Sequence, residues 1–142
     1  MNIESPRFGT LVVEPSRIIE FPRGMVGFED LRRFSLFHPE GETPAYFILQ
    51  SLDDPSVAFN VADPARFGFE HEIALSDAEA AEIQYDGTEA SAANMAVVVM
   101  LTKEAPGVPL RANLKAPVVI NLEARRGLQH VFERLDFAVA PV

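Results

Sequence analysis

The chain of 142 residues contains no cysteine and no tryptophan. The lack of cysteine excludes disulfides, iron–sulfur clusters and thiolate zinc sites, and it makes a reducing compartment the natural one. No apolar run approaches the roughly 18 residues that a membrane-spanning helix needs. Residues 1–10 contain no apolar segment of the kind that a secretory signal requires. We therefore expect a cytoplasmic protein with no membrane partner.

Basic residues are scarce as well. Twelve Lys and Arg against 21 Asp and Glu give a formal net charge of −9. This balance argues against nucleic acid as a direct ligand, because such binding depends on neutralising phosphates. Residues 67–102, the acidic segment, contain no Lys or Arg but seven acids: Glu70, Glu72, Asp77, Glu79, Glu82, Asp86 and Glu89. The segment is either a solvated face that maintains solubility or a surface that attracts a basic protein.

The most apolar part of the chain is residues 95–121. Three consecutive valines in residues 95–101 favour a strand, because β-branched side chains lose rotamer freedom in a helix. The lack of alternation predicts burial on both faces. Residues 105–109 supply a turn, and Pro117 can only open the second run at 118–120, since it has no N–H for a ladder. These runs are predicted to be the central strands of a small sheet or barrel.

Other segments have weaker patterns. Residues 8–13 and 17–21 predict a hairpin, and residues 34–37, 46–50, 57–61 and 69–75 predict further strands. Short helical turns are predicted at 29–33 and 64–67, a helix at the capping box of Ser76 and Glu79, and a loop at 88–94. In residues 21–30, Gly24 or Gly27 is predicted at positive φ, which would tuck Phe28 inward.

The C-terminal part allows two interpretations. Apolar residues from Leu128 to Leu135 have helical spacing, whereas Arg125-Arg126-Gly127 suggests a hairpin between residues 118–123 and 128–132. We choose the hairpin, followed by a last edge strand at 137–140. The predicted fold is all-β: a small, single-domain, antiparallel, barrel-like fold over residues 1–142, with one or two short helices.

Motifs for catalysis or metal binding are missing from the sequence. His38, His71 and His130 have no neighbours at metal-ligand spacing. Asp53-Asp54 stands before a proline, where adjacent acids are usually turn formers rather than a glycosidase pair. We expect a protein that is not an enzyme and needs no metal or cofactor.

Three segments and one late dipeptide are similar to a known family. They are FPRGMVGFE at 21–29, LQSLDDPSVAFNV at 49–61, ANLKAPVVIN at 112–121, and Gly127 followed at two residues by Gln129. In order and spacing they resemble the FliW family of bacterial flagellar assembly factors. The resemblance implies a barrel-like β fold without catalytic activity. It also implies binding of CsrA, a basic RNA-binding dimer that represses flagellin translation, and of flagellin as a competing partner. Residues 77–93 are less like the family.

Within this resemblance we expect a monomer when free, which meets its basic partner through acids. The acids between residues 70 and 89, together with Asp53 and Asp54, are expected to include the contacts, and the amides either contact the partner or satisfy backbone. The expected partner-binding residues are Asp53, Asp54, Glu70, Glu72, Gln50, Asn113 and Asn121. Two alternatives stay open: a flagellin chaperone without a role in translation, and a small-ligand barrel or glycosidase that uses Asp53 or Asp54.

Overall fold

The computed structural model describes residues 1–38, 46–67, 73–102 and 111–132. The strands in these ranges are β1 (Asn2–Ser5), β2 (Gly9–Val12), β3 (Ile19–Glu20), β4 (Arg33–Phe37), β5 (Phe47–Ser51), β6 (Ala58–Ala62), β7 (Met95–Thr102), β8 (Arg111–Ala112), β9 (Val118–Asn121) and β10 (Arg126–Gln129). The α-helices are α1 (Asp77–Glu82) and α2 (Glu89–Ala92), and 3-10 helices cover Pro15–Arg17 and Pro64–Phe67. No helix in this part of the chain is long and apolar enough to cross a membrane.

Seven strands close into a barrel. Their order is β6-β5-β4-β3-β10-β9-β7, and the pairing of β6 with β7 completes the ring. The pairings are antiparallel except for one parallel bridge between Glu20 of β3 and Arg126 of β10. Strand β7 pairs through residues 95–98 with β9, through 99–100 with β6 and through 101–102 with β8. The predicted barrel-like β fold with short helices is therefore confirmed.

Strand β9 is buried along its whole length, as its unbroken apolar sequence predicts, whereas β7 is buried only at Val98 and Val99 and half-buried over most of the rest. Val98 and Val118 belong to the main core, which also contains buried residues of β3, β4, β5 and β6. Val97 and Val119 pack instead in a second cluster around Ile83, the residue at the end of α1. Fully burying a valine side chain stabilises the fold by about 1.5–3 kcal/mol. Helix α1 therefore covers a face of the barrel that would otherwise expose apolar surface.

The N-terminal hairpin differs from the prediction. Strand β2 pairs with β1 rather than with residues 17–21, and β3 lies between β4 and β10. The 3-10 helix at Pro15–Arg17 separates the two segments. Ile3 of β1 and Val13 form a small cluster with Leu52, so burial of Ile3 holds β1 in place. The predicted hairpin of residues 8–13 with 17–21 was wrong.

The loop of residues 21–29 uses both of its glycines at positive φ, with Gly24 at 66° and Gly27 at 83°. A Cβ at Gly24 would lie 2.6 Å from the carbonyl oxygen of Phe28, so no other residue fits there. The loop buries Met25, whereas Phe28 is 39% exposed and packs its ring edge-on against Phe59 at 5.3 Å. The prediction that Phe28 points inward was therefore wrong, and residues 29–32 form turns and coil rather than a helical turn.

The helical predictions are confirmed at two places. The capping box of Ser76 and Glu79 begins α1, and the 3-10 helix Pro64–Phe67 matches the predicted turn. Residues 88–94, predicted as a loop, contain α2, because the Thr88 hydroxyl accepts a hydrogen bond from the Ser91 N–H and caps it. Residues 73–75 are not a strand as predicted; Ile73 packs against the second cluster. The rest of that predicted strand, the turn at 105–109 and the edge strand at 137–140 lie outside the described residues.

The hairpin near the C-terminus is confirmed, with a shifted turn. Strands β9 and β10 are antiparallel: Asn121 pairs with Arg126 next to the turn, and Val118 pairs with Gln129 at the other end. The turn is formed by residues 122–125, with Arg125 at a φ of 56°. Gly127 was expected in the turn but lies inside β10. The side chain of Asn121 accepts hydrogen bonds from the N–H groups of Glu123 and Ala124 at 3.1 Å, which fixes where the turn starts.

Candidate functional site

A cleft of about 190 Å³ opens beside α1, between the helix, the loop of residues 23–29 and strand β10. We call it the acidic cleft. Among the described residues, its walls contain three carboxylates and one guanidinium, which sum to a formal charge of −2. The lining residues are Arg23, Gly24, Met25, Val26, Glu29, Glu79, Glu82, Leu128 and Gln129.

Gln129 attaches the loop to the barrel and so shapes the cleft. Its side-chain oxygen accepts a hydrogen bond from the Val26 N–H at 2.9 Å, and its amide nitrogen donates to the Ala116 carbonyl at 3.1 Å. Both ends of the amide are therefore used. The family-like pattern of Gly127 and Gln129 was the sequence signal for this residue, and its structural role is to hold the loop.

Glu79 joins the helix start to the end of the hairpin. One carboxylate oxygen accepts from the Ser76 N–H at 3.0 Å, and the other lies 2.8 Å from Nδ1 of His130. Partial burial acts to raise the pKa of Glu79, but these two partners together outweigh it and leave the pKa below its ordinary value. Glu79 therefore gives the wall of the cleft a negative charge, and both of its carboxylate oxygens already have partners.

Glu82 is the least satisfied carboxylate of the cleft. Its Oε2 lies 3.2 Å from Nε of Arg23, whereas its Oε1 is buried and has no hydrogen-bond partner among the described residues. The Glu82 side chain is only 11% exposed, compared with 76% for that of Arg23. Most buried polar atoms in proteins have a partner, so this oxygen of Glu82 is one of the exceptions.

The charge of this arrangement suits the binding of cationic groups. A volume near 190 Å³ is below the roughly 300–1,000 Å³ of pockets that enclose small molecules. Among residues 1–38, 46–67, 73–102 and 111–132, no group of three or more His, Asp or Glu is arranged to hold a metal ion. An open cleft of negative charge attracts the cationic groups of other molecules.

The predicted contact residues Asp53 and Asp54 lie in the turn between β5 and β6, and neither lines the acidic cleft. Asp53 accepts hydrogen bonds from the N–H groups of Arg32 and Arg33 at 2.8 and 2.9 Å and pairs with the Arg33 guanidinium at 2.8 Å. Partial burial opposes these contacts, which nevertheless hold the pKa of Asp53 below its ordinary value. Asp53 therefore ties this turn to the start of β4.

Asp54 is engaged within its own turn through one carboxylate oxygen. Its Oδ1 accepts from the Ser56 hydroxyl at 2.6 Å and from the Ser56 N–H at 3.0 Å. These two contacts, the hydroxyl first, lower the pKa of Asp54. Both acids act as turn formers in the structure, which is the role that the proline after them suggests.

The amides divide into two buried residues and one exposed residue. Gln50 is fully buried and donates to the carbonyls of Ser51, Pro55 and Val57 within 3.2 Å. Asn121 is 4% exposed and holds both the hairpin turn and the end of α1, through the Ile83 carbonyl at 2.9 Å. These two side chains satisfy backbone inside the fold.

The remaining predicted contacts are Asn113, Glu70 and Glu72. Asn113 is exposed, and its side-chain oxygen accepts a hydrogen bond from the Lys115 N–H at 3.3 Å. Glu70 and Glu72 lie outside the described residues. Among the described residues of the acidic segment, Glu79 and Glu82 line the cleft; both lie in the range expected to include contacts, although neither was among the seven residues chosen.

Comparison with known proteins gives a consistent result. A sequence model described as FliW protein matches residues 2–140. A curated relative from Azoarcus sp., named flagellar assembly factor FliW, is 48% identical over 140 residues that cover 95% of this chain and 93% of the relative. One of the same name from Chromobacterium violaceum is 38% identical, with 96% of both chains covered.

A solved structure agrees with these relatives. The crystal structure of a flagellar assembly factor FliW superposes with a TM-score of 0.81 at 29% identity, covering 96% of this chain and 92% of the other. The agreement therefore extends over nearly the whole chain in both sequence and fold. On these grounds the chain belongs to the FliW family.

Proposed function

We propose that this protein is a non-enzymatic flagellar assembly factor that binds other proteins. Its first proposed partner is CsrA, the basic RNA-binding repressor of flagellin translation, and flagellin is the competing partner. In this proposal the chain acts as a single domain and a monomer in the cytoplasm, where flagellin is translated. The observation that carries the proposal is membership of the FliW family combined with an acidic face next to α1.

Electrostatics support a basic partner. The chain carries a net charge of −9, and its acidic segment contains no Lys or Arg. A protein that binds RNA must present basic residues to phosphates. Opposite charge accelerates the encounter with such a protein, and the acids placed beside its RNA site would then repel RNA phosphates. One surface can thus both attract the repressor and weaken its binding to mRNA.

The state of the carboxylates supports binding over catalysis. A glycosidase general acid needs a raised pKa, whereas the pKa values of Asp53 and Asp54 are lowered. Asp53 accepts hydrogen bonds from the Arg33 N–H and guanidinium, and Asp54 accepts them from the N–H and hydroxyl of Ser56. The glycosidase alternative would need at least one of them to be free to transfer a proton.

Calorimetry with purified CsrA-type repressor tests the main proposal. We expect one-to-one binding per repressor site at low salt and strong weakening at high salt, because exposed charges are screened. In a parallel assay the protein should release a bound flagellin-mRNA fragment from the repressor. Absence of binding at low salt, or binding that leaves RNA in place, would contradict the proposal.

A flagellin chaperone without a role in translation is the second candidate. It is favoured by apolar side chains on the loop beside the cleft, since Val26 is 62% exposed and Phe28 is 39% exposed. An amphipathic helix from flagellin would place its apolar face on such residues. A pull-down at low salt that recovers flagellin but not the repressor would favour this candidate over the first.

A further inference from the structure

We propose that the acidic cleft receives one arginine side chain from a protein partner, that Glu82 binds its guanidinium, and that Arg23 is the resident cation which it displaces. The inference deepens the proposed function, on which the identity of the partner rests. It assigns the recognition of charge to one carboxylate rather than to the acidic segment as a whole.

The three carboxylates of the cleft differ in how much binding capacity is left. Glu79 is used by Ser76 and His130. Glu29 accepts a hydrogen bond from the Gly27 N–H at 3.2 Å and is exposed. Glu82 alone in this set has a buried oxygen that accepts no hydrogen bond from a described residue. A buried polar oxygen without a donor is costly, so Glu82 is the group of the three that gains most from a new donor.

Arg23 does not supply hydrogen-bond donors to both oxygens of Glu82. An arginine can donate two parallel hydrogen bonds to a carboxylate, but Nε of Arg23 reaches only Oε2 of Glu82, at 3.2 Å. Its side chain is 76% exposed, so it can move into solvent without leaving a packed site. The cost of removing it from the less exposed Glu82 carboxylate is then offset by the incoming guanidinium, which takes its place.

The shape of the cleft also suits an arginine. Its apolar lining comes from Met25, Val26 and Leu128. Long basic side chains place their methylene stem on apolar surface and their charged head on polar groups. A stem along Val26 with the head at Glu82 uses both kinds of lining, and a volume near 190 Å³ is that of a site for one side chain rather than for a cofactor.

Four proteins test the inference through affinity for the CsrA-type repressor: the wild type, Glu82→Gln, Arg23→Ala and the matched control Glu14→Gln. Glu14 is exposed and lies outside both the cleft and the acidic segment, so its substitution removes the same charge elsewhere. We expect Glu82→Gln to weaken binding at least about tenfold, equivalent to ~1.4 kcal/mol. Glu14→Gln should change affinity less than about twofold, and Arg23→Ala should strengthen binding because the competing cation is gone. Equal effects of Glu82→Gln and Glu14→Gln would overturn the inference.

A second experiment does not need the repressor. Blocked arginine (N-acetyl-arginine amide) is titrated into the isotope-labelled full chain while NMR follows the Val26 N–H and the side-chain amide of Gln129. Both signals should shift in the wild type and not in Glu82→Gln, whose fold is checked by thermal unfolding. Blocked citrulline, which has the shape of arginine without its charge, should cause no shift.

The two experiments separate the inference from the proposed function. Shifts with blocked arginine but no binding of the repressor would support the arginine site and contradict the CsrA partner. If the repressor binds, blocked arginine causes no shift and Glu82→Gln keeps its affinity for the repressor, the results would support the CsrA partner and contradict the arginine site. If blocked lysine shifts the same signals as strongly as blocked arginine, the claim that the site prefers a guanidinium to an ammonium group would be overturned.

Discussion

Gly127 of β10 lies directly against the ring of Phe21: a Cβ at this glycine would be 2.6 Å from Cε2 and Cζ of the ring. Phe21 is fully buried and packs edge-on against Phe34, with 5.2 Å between the ring centroids. This contact between β10 and the Phe21 ring is possible only because residue 127 has no side chain. It explains why a glycine stands inside a strand rather than in the adjacent turn.

Gly127→Ala should destabilise the protein. The new methyl group would have to push the Phe21 ring out of a packed core, and overpacking of this kind costs about 1–3 kcal/mol. The free energy of unfolding, measured by urea denaturation, gives the effect. In a double-mutant cycle with Phe21→Leu, the cost of Gly127→Ala should fall sharply, because the smaller residue makes room. Additive effects of the two substitutions would contradict the steric explanation.

Gln129→Ala should loosen the loop of residues 23–29. The substitution leaves the Val26 N–H and the Ala116 carbonyl without their shared partner, and each lost hydrogen bond of this kind is worth about 0.5–1.5 kcal/mol. Hydrogen exchange at Val26 should accelerate markedly. The control is Asn113→Ala, which removes a long, exposed hydrogen bond and should leave Val26 exchange unchanged. If both variants behave alike at Val26, Gln129 does not hold the loop.

Asn121→Ala should be among the most damaging substitutions of a polar residue. Its amide group joins the Ile83 carbonyl at the end of α1 to the N–H groups of the hairpin turn. Leaving a buried partner unsatisfied costs about 1–3 kcal/mol, and here several partners are affected. We expect a loss of about 2–4 kcal/mol in unfolding free energy, and Asn121→Asp should do no better, because a carboxylate cannot donate to Ile83. A loss below that of Asn113→Ala would contradict this role of Asn121.

Much of the fold could be predicted because its signals are local or strong. The unbroken apolar runs of β7 and β9 required two buried faces, and the capping box of Ser76 and Glu79 marked the start of α1. The pairing of β1 with β2 could not be predicted from four-residue strands, since such short segments carry little information about register. Helix α2 was missed because a single cap, Thr88, decides a helix of four residues.

The candidate site was harder to predict than the fold. The acidic cleft is made from a loop near residue 25, a helix near residue 80 and a strand near residue 128, which only barrel closure brings together. Composition indicated the acidic segment but could not distinguish Glu82 from its neighbours. Likewise, Gln50 and Asn121 punctuate apolar strands in a way that fits either a buried or an exposed amide, and only the structure shows that both are buried.

Asp53 should make stability depend on pH in the acid range. Its pKa is lowered in the folded state, so the charged form is favoured by folding. Its contribution is complete above the unfolded value of about 3.9 and is lost as the pH falls through the folded pKa. Asp53→Asn removes this contribution, so the difference in unfolding free energy from the wild type should be large near neutral pH and shrink below about pH 4.

Urea denaturation at a series of pH values measures that difference directly. Other acids with lowered pKa values, such as Glu79, are present in both proteins and cancel in the comparison. Glu14→Gln serves again as the control for removal of one exposed charge, and its difference from the wild type should stay small across the series. If the Asp53→Asn difference were constant with pH, or grew as the pH fell, the contacts of Asp53 with Arg32 and Arg33 would not favour its charged form.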